Sequence, residues 1–307
     1  MSLTRLSALA ATALLTVSLT SCAADPEQSQ GGTSSDDTVK KQKLDKELQD
    51  QLPAKIRDSG TVVAANTGSF PPYTIVGSKD EDMDGAVGDL SIAIGEILGI
   101  KIQHKTVDGL PGLLTGMQAK RYDLSLGPVG DFKERQAQAT FVDYVQEYVV
   151  FAVKKGNPEK INDLASSCGT RIAVQAGGSA EEVIKTQAAS CEKDGKPTLK
   201  VLSYKDQPSS ILAVQSGRAD AFFSSQAPLT YFVKQSKGKL ELAGVDKENG
   251  FEDLFQGAIV PKDSELGDVL LSAMEELFEN GTYEQIMDKW GIEANKIDSP
   301  DVNLGTS

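Results

Sequence analysis

Arg135 is the residue of this sequence best suited to holding an acid. It follows a loop that contains Gly127 and Gly130, and the loop itself follows a predicted strand. Glycines leave backbone N–H groups exposed, and a planar guanidinium can bind a carboxylate through two parallel hydrogen bonds. The loop therefore predicts a carboxylate site. The alternative is a surface ion pair between Arg135 and Glu134 or Asp131.

Two further loops carry groups that could contact a small molecule. Two prolines stiffen the turn that carries Phe70 and Tyr73, so these rings are presented at low entropic cost. An aromatic face can cover a cation or an apolar stem, although Phe70 could instead lie in the core. Gly178 and Ser179 open a predicted helix with Ser179 as N-cap. Its free N–H groups could bind an anion, or Ser179 could serve capping alone.

Alternating strands and helices must position these loops. Apolar runs such as 61–65 read as buried strands, and amphipathic runs such as 89–98 read as helices. This alternation predicts parallel sheets covered by helices. The pattern Q-x-x-R-x-D occurs at Gln118 and again at Gln215, which favours two similar lobes over coincidence. Ligands of open α/β sheets lie beyond the carboxyl ends of strands, so we expect a site in the cleft between the lobes.

The composition excludes several functions. The 307 residues carry a net charge of −13 and one histidine, His104. An acidic balance argues against nucleic acid and against polybasic membrane binding. One histidine excludes a His-rich metal site and most catalytic triads. We expect His104 to be exposed on the strand 100–105, and the polar chain from Ser299 to fray.

The amino-terminal segment predicts export. Residues 1–21 have the pattern of a secretory signal peptide, with Arg5, a run of about ten apolar residues and a small-residue exit. The run is shorter than the roughly 20 residues of a membrane-spanning helix. Cys22 at the exit resembles the acylated cysteine of bacterial lipoproteins, and an ordinary secreted protein is the alternative. Residues 22–51 are predicted to form a lipidated tether, polar at first and then briefly helical.

Cys168 and Cys191 remain once Cys22 is set aside. In an oxidising compartment such a pair is most simply a disulfide, which stabilises a fold by roughly 3 kcal/mol. Neither cysteine lies in a CxxC pair, so we expect no zinc and no redox catalysis.

Loose motifs in a fixed order resemble one known family. They are SGTVVA (59–64), PPY (71–73), GDL (88–90) with LGI (98–100), YDL (122–124), KER (133–135) with FVDY (141–144), QSGRADA (215–221) and GTY (281–283) with KWG (289–291). From about residue 55 to 292 the chain resembles the polar-amino-acid family of ABC-transporter substrate-binding proteins, bacterial extracellular solute-binding protein family 3.

The resemblance implies a two-lobe α/β clamshell of the periplasmic-binding-protein type. Each lobe would be a sheet flanked by helices. Lobe 1 would comprise residues 52–152 and 257–307, and lobe 2 residues 153–256. The hinge would be formed by two crossing segments, near 151–154 and 256–260.

The resemblance also implies a ligand-binding set drawn from both lobes: Phe70, Tyr73, Gly127, Gly130, Arg135, Gly178, Ser179 and Ser225. In this set, Arg135 holds the ligand carboxylate, Phe70 stacks on the ligand, and Ser179 caps it from lobe 2. No catalytic residue, cofactor or metal is implied.

Two positions depart from the family pattern. Ser225 stands where members usually carry the aspartate that pairs with the ligand ammonium, and Ala86 stands where many carry a second aromatic ring. Either another acid serves, with Glu181 as a candidate, or the ligand is not a standard α-amino acid. A basic or carboxylate-bearing derivative, or a larger ligand filling the space at Ala86, is also open.

The expected function is therefore solute capture outside the cytoplasm. A monomer, anchored by lipid to the outer face of the cell membrane of a Gram-positive bacterium, would bind a small polar amino acid or related carboxylate. It would deliver this solute to an ABC permease. The alternatives are a sensor or partner-binding lipoprotein without transport, and a dehydratase-type enzyme on the same fold.

Overall fold

Strands and helices alternate along the computed structural model, which describes residues 39–77 and 82–306. The predicted signal peptide, 1–21, and Cys22 lie outside these residues. Residues 39–51 of the predicted flexible tether lie inside them, and there the prediction is wrong: Leu48 packs against the apolar core, and the Asp45 amide donates to the Ile97 carbonyl at 2.8 Å. None of the helices in the described residues is both long and apolar enough to span a membrane.

The bounds of the elements are as follows. The strands are β1 (Thr61–Asn66), β2 (Ser69–Phe70), β3 (Thr74–Val76), β4 (Met83–Asp84), β5 (Lys101–Thr106), β6 (Ser125–Gly130), β7 (Ala139–Glu147), β8 (Val149–Lys154), β9 (Arg171–Gln175), β10 (Lys200–Tyr204), β11 (Ala221–Ser225), β12 (Leu240–Ala243), β13 (Leu254–Pro261) and β14 (Lys296–Val302). The α-helices are α1 (Lys46–Gln51), α2 (Ala54–Ser59), α3 (Ala86–Leu98), α4 (Gly109–Gln118), α5 (Lys133–Gln136), α6 (Ser179–Lys193), α7 (Gln207–Gln215), α8 (Gln226–Gln235), α9 (Leu266–Glu279) and α10 (Thr282–Lys289).

Two groups of sheets define two lobes. In lobe 1, the order β14-β7-β13-β6 forms one sheet, and β1 pairs in parallel with β5. A bridge between Ala64 and Leu124 joins β1 to the start of β6. In lobe 2, the order is β10-β9-β11-β8-β12, with β9 parallel to both β10 and β11.

The chain passes between the lobes earlier than the sequence predicted. Strand β7 ends at Glu147 and β8 begins at Val149, so Tyr148 is the whole first crossing. The second crossing is segment 244–253, between β12 and β13. Each strand pairs within a single sheet along its whole length, so the chain can pass from one sheet to the other only between strands. Residues 149–152 therefore belong to the sheet of lobe 2, and 254–256 to that of lobe 1.

Apolar helix faces build the core of lobe 1. Helix α3 buries Leu90, Ile94 and Ile97, as its four-residue and three-residue spacing predicts. Gly99 ends the helix with φ 63°, a conformation that glycine adopts without steric cost. Burying each such side chain contributes about 1.5–3 kcal/mol.

The carboxyl-terminal segment is ordered, and the prediction of a frayed end from Ser299 is wrong. Strand β14 pairs with β7. Beyond it, the Leu304 amide donates to Asp143 Oδ2 at 2.9 Å and the Gly305 amide donates to Asp131 Oδ2 at 2.7 Å. Polar composition alone did not reveal that buried carboxylates accept these backbone donors.

Two further predictions can be compared with the structure. Cys168 and Cys191 form a disulfide, as predicted, with their Cα atoms 5.7 Å apart. The prediction of an exposed His104 is wrong, because its side chain is turned inward and its Nδ1 lies 3.1 Å from Asn66 Nδ2. Burial lowers the pKa of His104.

Candidate functional site

A cavity lies between the lobes, at the carboxyl ends of several strands. From lobe 1 it is lined by Asn66, Thr67, Phe70, Thr74, Leu110, Leu113, Ser125, Gly127, Pro128, Val129, Gly130, Arg135, Leu254 and Gln256. From lobe 2 it is lined by Val149, Gln175, Gly178, Ser179, Ala180, Gln207, Ser224 and Ser225. Strand ends are where open α/β sheets bind ligands.

Arg135 reaches this cavity from the short helix α5. Its Nη1 donates to the Gly130 carbonyl at 2.9 Å, and its guanidinium lies 4.9 Å from the centre of the Phe132 ring. Burial lowers the pKa of Arg135, although a guanidinium keeps its proton. Within the described residues, Arg135 forms no ion pair with Glu134 or Asp131. Its charge is therefore not neutralised by either of these two carboxylates.

Close packing requires the glycine at position 130. A Cβ added to Gly130 would lie 2.6 Å from Phe132 Cε2 and 3.4 Å from Arg135 Nη1. A Cβ on Gly127 would lie 3.1 Å from Thr74 Cγ2. Glycine at 130 thus leaves room for the guanidinium between its own loop and the Phe132 ring.

The two rings of the aromatic turn, Phe70 and Tyr73, have different roles. Phe70 lines the cavity, and its ring stacks on Tyr73 with centroids 5.7 Å apart. Tyr73 is fully buried, and its hydroxyl donates to Glu147 Oε1 at 2.6 Å. The predicted ligand contact of Tyr73 is therefore corrected. Tyr73 packs behind Phe70, because the Tyr73 hydroxyl is hydrogen-bonded inside lobe 1.

The start of α6 faces the cavity from lobe 2. Gly178 is the N-cap, and Ser179 is the first helical residue, so the predicted N-cap role of Ser179 is wrong. The Glu181 carboxylate reaches back past the N-cap, where its Oε2 accepts from the Gly177 amide at 2.8 Å. The hydroxyl of Ser179 is left at the cavity wall.

A network of amides and hydroxyls closes the lobe 2 side, and sequence reasoning missed it. Gln207 Nε2 donates to Ser224 Oγ at 2.8 Å and to Gln175 Oε1 at 3.0 Å. Across the lobes, Gln256 Nε2 lies 3.4 Å from Ser225 Oγ. The available signal was polar residues at the ends of buried strands, as at Gln175 and Ser224.

The same geometry accompanies a clear sequence match. A profile of the bacterial extracellular solute-binding proteins, family 3, matches residues 62–293. The chain belongs to this family. The arginine-binding protein ArgT of Corynebacterium glutamicum is 27% identical over 262 residues, covering 84% of this chain and 83% of that protein. The L-cystine-binding protein TcyJ of Escherichia coli K12 is 24% identical over 238 residues, covering 77% and 84%.

Solved structures agree with the family assignment. An ancestral arginine-binding protein bound to arginine matches with a TM-score of 0.67 and 27% identity, over 75% of this chain and 98% of that one. The substrate-binding protein of an amino acid ABC transporter matches with a TM-score of 0.64 and 26% identity, over 75% and 98%. The two-lobe α/β fold predicted from the motifs is confirmed.

This family-3 protein departs from the usual pattern at two positions, and the structure locates both. Ser225 lines the cavity at the start of α8. Ala86 is fully buried as the first residue of α3 and does not line the cavity, so the predicted extra space at Ala86 is not there. Glu181 is not among the lining residues either, because its second oxygen, Oε1, accepts from Ser203 Oγ at 2.5 Å.

Four buried oxygens of this family-3 cavity have no hydrogen-bond partner within the described residues. They are Asn66 Oδ1, Thr74 Oγ1, Ser125 Oγ and Gln256 Oε1. Buried polar atoms of native proteins are normally paired, so such a group calls for an explanation. All four residues line the cavity. In the described part of the chain, no cluster of three or more metal-ligating side chains is found.

Proposed function

We propose that this protein is an extracytoplasmic lipoprotein that captures a small polar amino acid, or a related carboxylate-bearing solute, for an ABC importer. The observation that carries the proposal is the Arg135 guanidinium, which forms no ion pair within the described residues, in a cavity between two lobes. Relatives named as arginine-binding and L-cystine-binding proteins support an amino-acid-like ligand.

In the proposed complex, both lobes hold the solute. Arg135 and the Gly130 amide bind its carboxylate, Phe70 covers its stem, and the Gly178–Ser179 end of α6 contacts it from lobe 2. Contacts from both lobes exist together only when the lobes are close. Ligand binding therefore shifts the population toward the closed form, whose shape the membrane permease reads.

Capture without catalysis fits the residues of the cavity. General acid–base catalysis needs a titratable group placed near the substrate. Among the residues that line the cavity, Arg135 alone has an ionisable side chain, and a guanidinium does not exchange its proton at neutral pH. A binding protein needs no such group.

The location of the protein is part of the proposal. Acylated Cys22 would be the mature amino terminus, and the following polar segment would let a monomer turn toward its permease. A strain grown with labelled palmitate tests the anchor. Wild-type protein should carry the label, whereas Cys22→Ser should lose it and be released into the medium.

Calorimetry on the purified mature protein tests the site. A panel of amino acids and carboxylates is first screened by thermal shift, since a ligand at about 100 times its Kd stabilises by about 2.7 kcal/mol. Arg135→Ala should then weaken the best ligand by at least about a hundredfold, because it leaves a carboxylate unpaired in a dry cleft. Exposed Arg121 offers the control, Arg121→Ala, which should bind normally. Unchanged affinity in Arg135→Ala would refute the site.

A further inference from the structure

We infer that the ligand is a monocarboxylate whose other polar groups are uncharged hydrogen-bond donors, as in a 2-hydroxy acid or an N-acyl amino acid, and not a zwitterionic α-amino acid. This ligand class rests on the proposed capture of a carboxylate-bearing solute in the same cavity.

The charge of the cavity is the first argument. Arg135 supplies a single positive charge, and no carboxylate is among the residues that line the cavity. A monoanionic ligand would make the closed site neutral. A zwitterion would leave the closed site with one net positive charge. Its ammonium would be removed from water and would have no counter-charge. Burying an unpaired charge is costly, so the site favours the monoanion.

Three acids near the cavity are engaged elsewhere, which is the second argument. Glu181 accepts from the Gly177 amide and the Ser203 hydroxyl, and Asp131 accepts from Gln136 and the Gly305 amide. Glu147 accepts from the hydroxyl of Tyr73, beneath the Phe70 ring.

The unpaired oxygens supply the third argument. Asn66, Thr74, Ser125 and Gln256 are each at least nine-tenths buried, and each has one side-chain oxygen without a partner in the described structure. These oxygens can accept from neutral O–H or N–H groups of a ligand at the cost of a neutral hydrogen bond. Uncharged side chains around one guanidinium therefore complement a carboxylate whose other polar groups carry no charge.

Matched ligand pairs test the inference by calorimetry on the mature protein. Each L-α-amino acid is compared with the 2-hydroxy acid and the N-acetyl derivative that carry the same side chain. We expect the best uncharged-donor ligand to bind at least tenfold tighter than its amino acid. An amino acid that binds as tightly as both partners, or tighter, overturns the ligand class and leaves the proposed function intact. If no member of any series binds, the capture of a carboxylate is itself refuted.

Substitutions at Ser225 separate charge from shape. Ser225→Asp places a carboxylate in the cavity and should shift the preference toward the amino acid by at least about tenfold. Ser225→Asn has nearly the same size without the charge and should not shift it. Gln256→Glu, an isosteric change at one of the unpaired oxygens, provides an independent second variant. Equal preferences in Ser225→Asp, Ser225→Asn and Gln256→Glu would overturn the electrostatic argument.

Discussion

Gly177 of lobe 2 lies directly against Pro111 of lobe 1, and a Cβ added to Gly177 would be 2.6 Å from Pro111 Cγ. Close by, Lys205 Nζ and Asp108 Oδ1 are 3.4 Å apart across the same edge of the cavity. Both side chains of this ion pair are largely exposed, so it contributes little. The packing of Gly177 on Pro111 is therefore a close contact between the two lobes that leaves no room for a methyl group.

Gly177→Ala should weaken ligand binding by about tenfold or more, because the new methyl group holds the lobes apart. Gly177 has φ 72°, so alanine also adds about 1 kcal/mol of backbone strain. Gly238→Ala is a matched control, since Gly238 has φ 79° and open space around its Cα. Calorimetry of both variants measures the loss of affinity, and thermal unfolding of both measures the backbone strain. Equal loss of affinity in both would contradict a closure contact.

Asp143 should make stability depend on pH. Burial, together with the nearby carboxylate of Asp131, raises the pKa of Asp143 to about 8. The folded protein thus keeps a proton that the unfolded chain releases near its ordinary value of 3.8. This contribution to stability is fully present below pH 3.8 and is lost progressively as the pH rises to about 8.

Urea unfolding at pH 5, 6, 7 and 8 measures this dependence. The free energy of unfolding should fall with rising pH, by at most about 1.4 kcal/mol per pH unit from Asp143. Glu147 adds to the slope, since burial raises its pKa to about 7. Asp143→Asn keeps an oxygen for the Leu304 amide and should flatten the profile. The same slope in wild type and variant would rule out Asp143 as a source.

Gly305→Ala should undock the carboxyl-terminal segment, because a Cβ there would lie 2.9 Å from Asp131 Cγ and 2.7 Å from the Asp131 carbonyl carbon. Hydrogen exchange at the Leu304 and Gly305 amides should become faster. Gln136 Nε2 bonds both Asp131 and the Gly305 carbonyl, one residue from Arg135, so affinity should also fall. Gly112→Ala, with nothing near its added Cβ, should change neither measurement. Unchanged exchange in Gly305→Ala would show that the segment tolerates the methyl group.

Cys168→Ser combined with Cys191→Ser should destabilise the fold by about 3 kcal/mol, since the bridge closes a 23-residue separation. Neither cysteine lines the cavity, so the affinity of the folded variant should stay within about twofold. Urea unfolding and calorimetry measure the two quantities. A large loss of affinity at unchanged stability would contradict a purely structural bridge.

Local periodicity predicted the helices and strands well, but it predicted poorly which parts of the chain cover them. The apolar spacing of 89–98 and the glycine that follows it predicted α3, because the residues that form one face of a helix are close together in the sequence. The alternation at His104 could not show which face of β5 is covered, because the covering groups are distant in the chain. For the same reason, the crossings were predicted a few residues late.

The candidate site was foreseen where a residue type carries its own chemistry, and where the family motifs mark positions such as Gly178, Ser179 and Ser225. Arg135 and Phe70 stand out by type, and both line the cavity. Asn66, Thr74 and Gln256 are ordinary polar residues. Contacts between distant parts of the chain bring them together. Tyr73 had the right type, but its hydroxyl bonds Glu147 inside the core.

Tyr148 is the whole connection between β7 and β8, and one residue carries only two soft backbone dihedral angles. The second crossing is also restrained, because Asn249 Nδ2 donates to the Val149 and Gly244 carbonyls, each at 2.8 Å. The lobes therefore have few independent ways to move against each other. Little conformational entropy remains to be lost when a solute draws them together, so more of its contact energy appears as affinity.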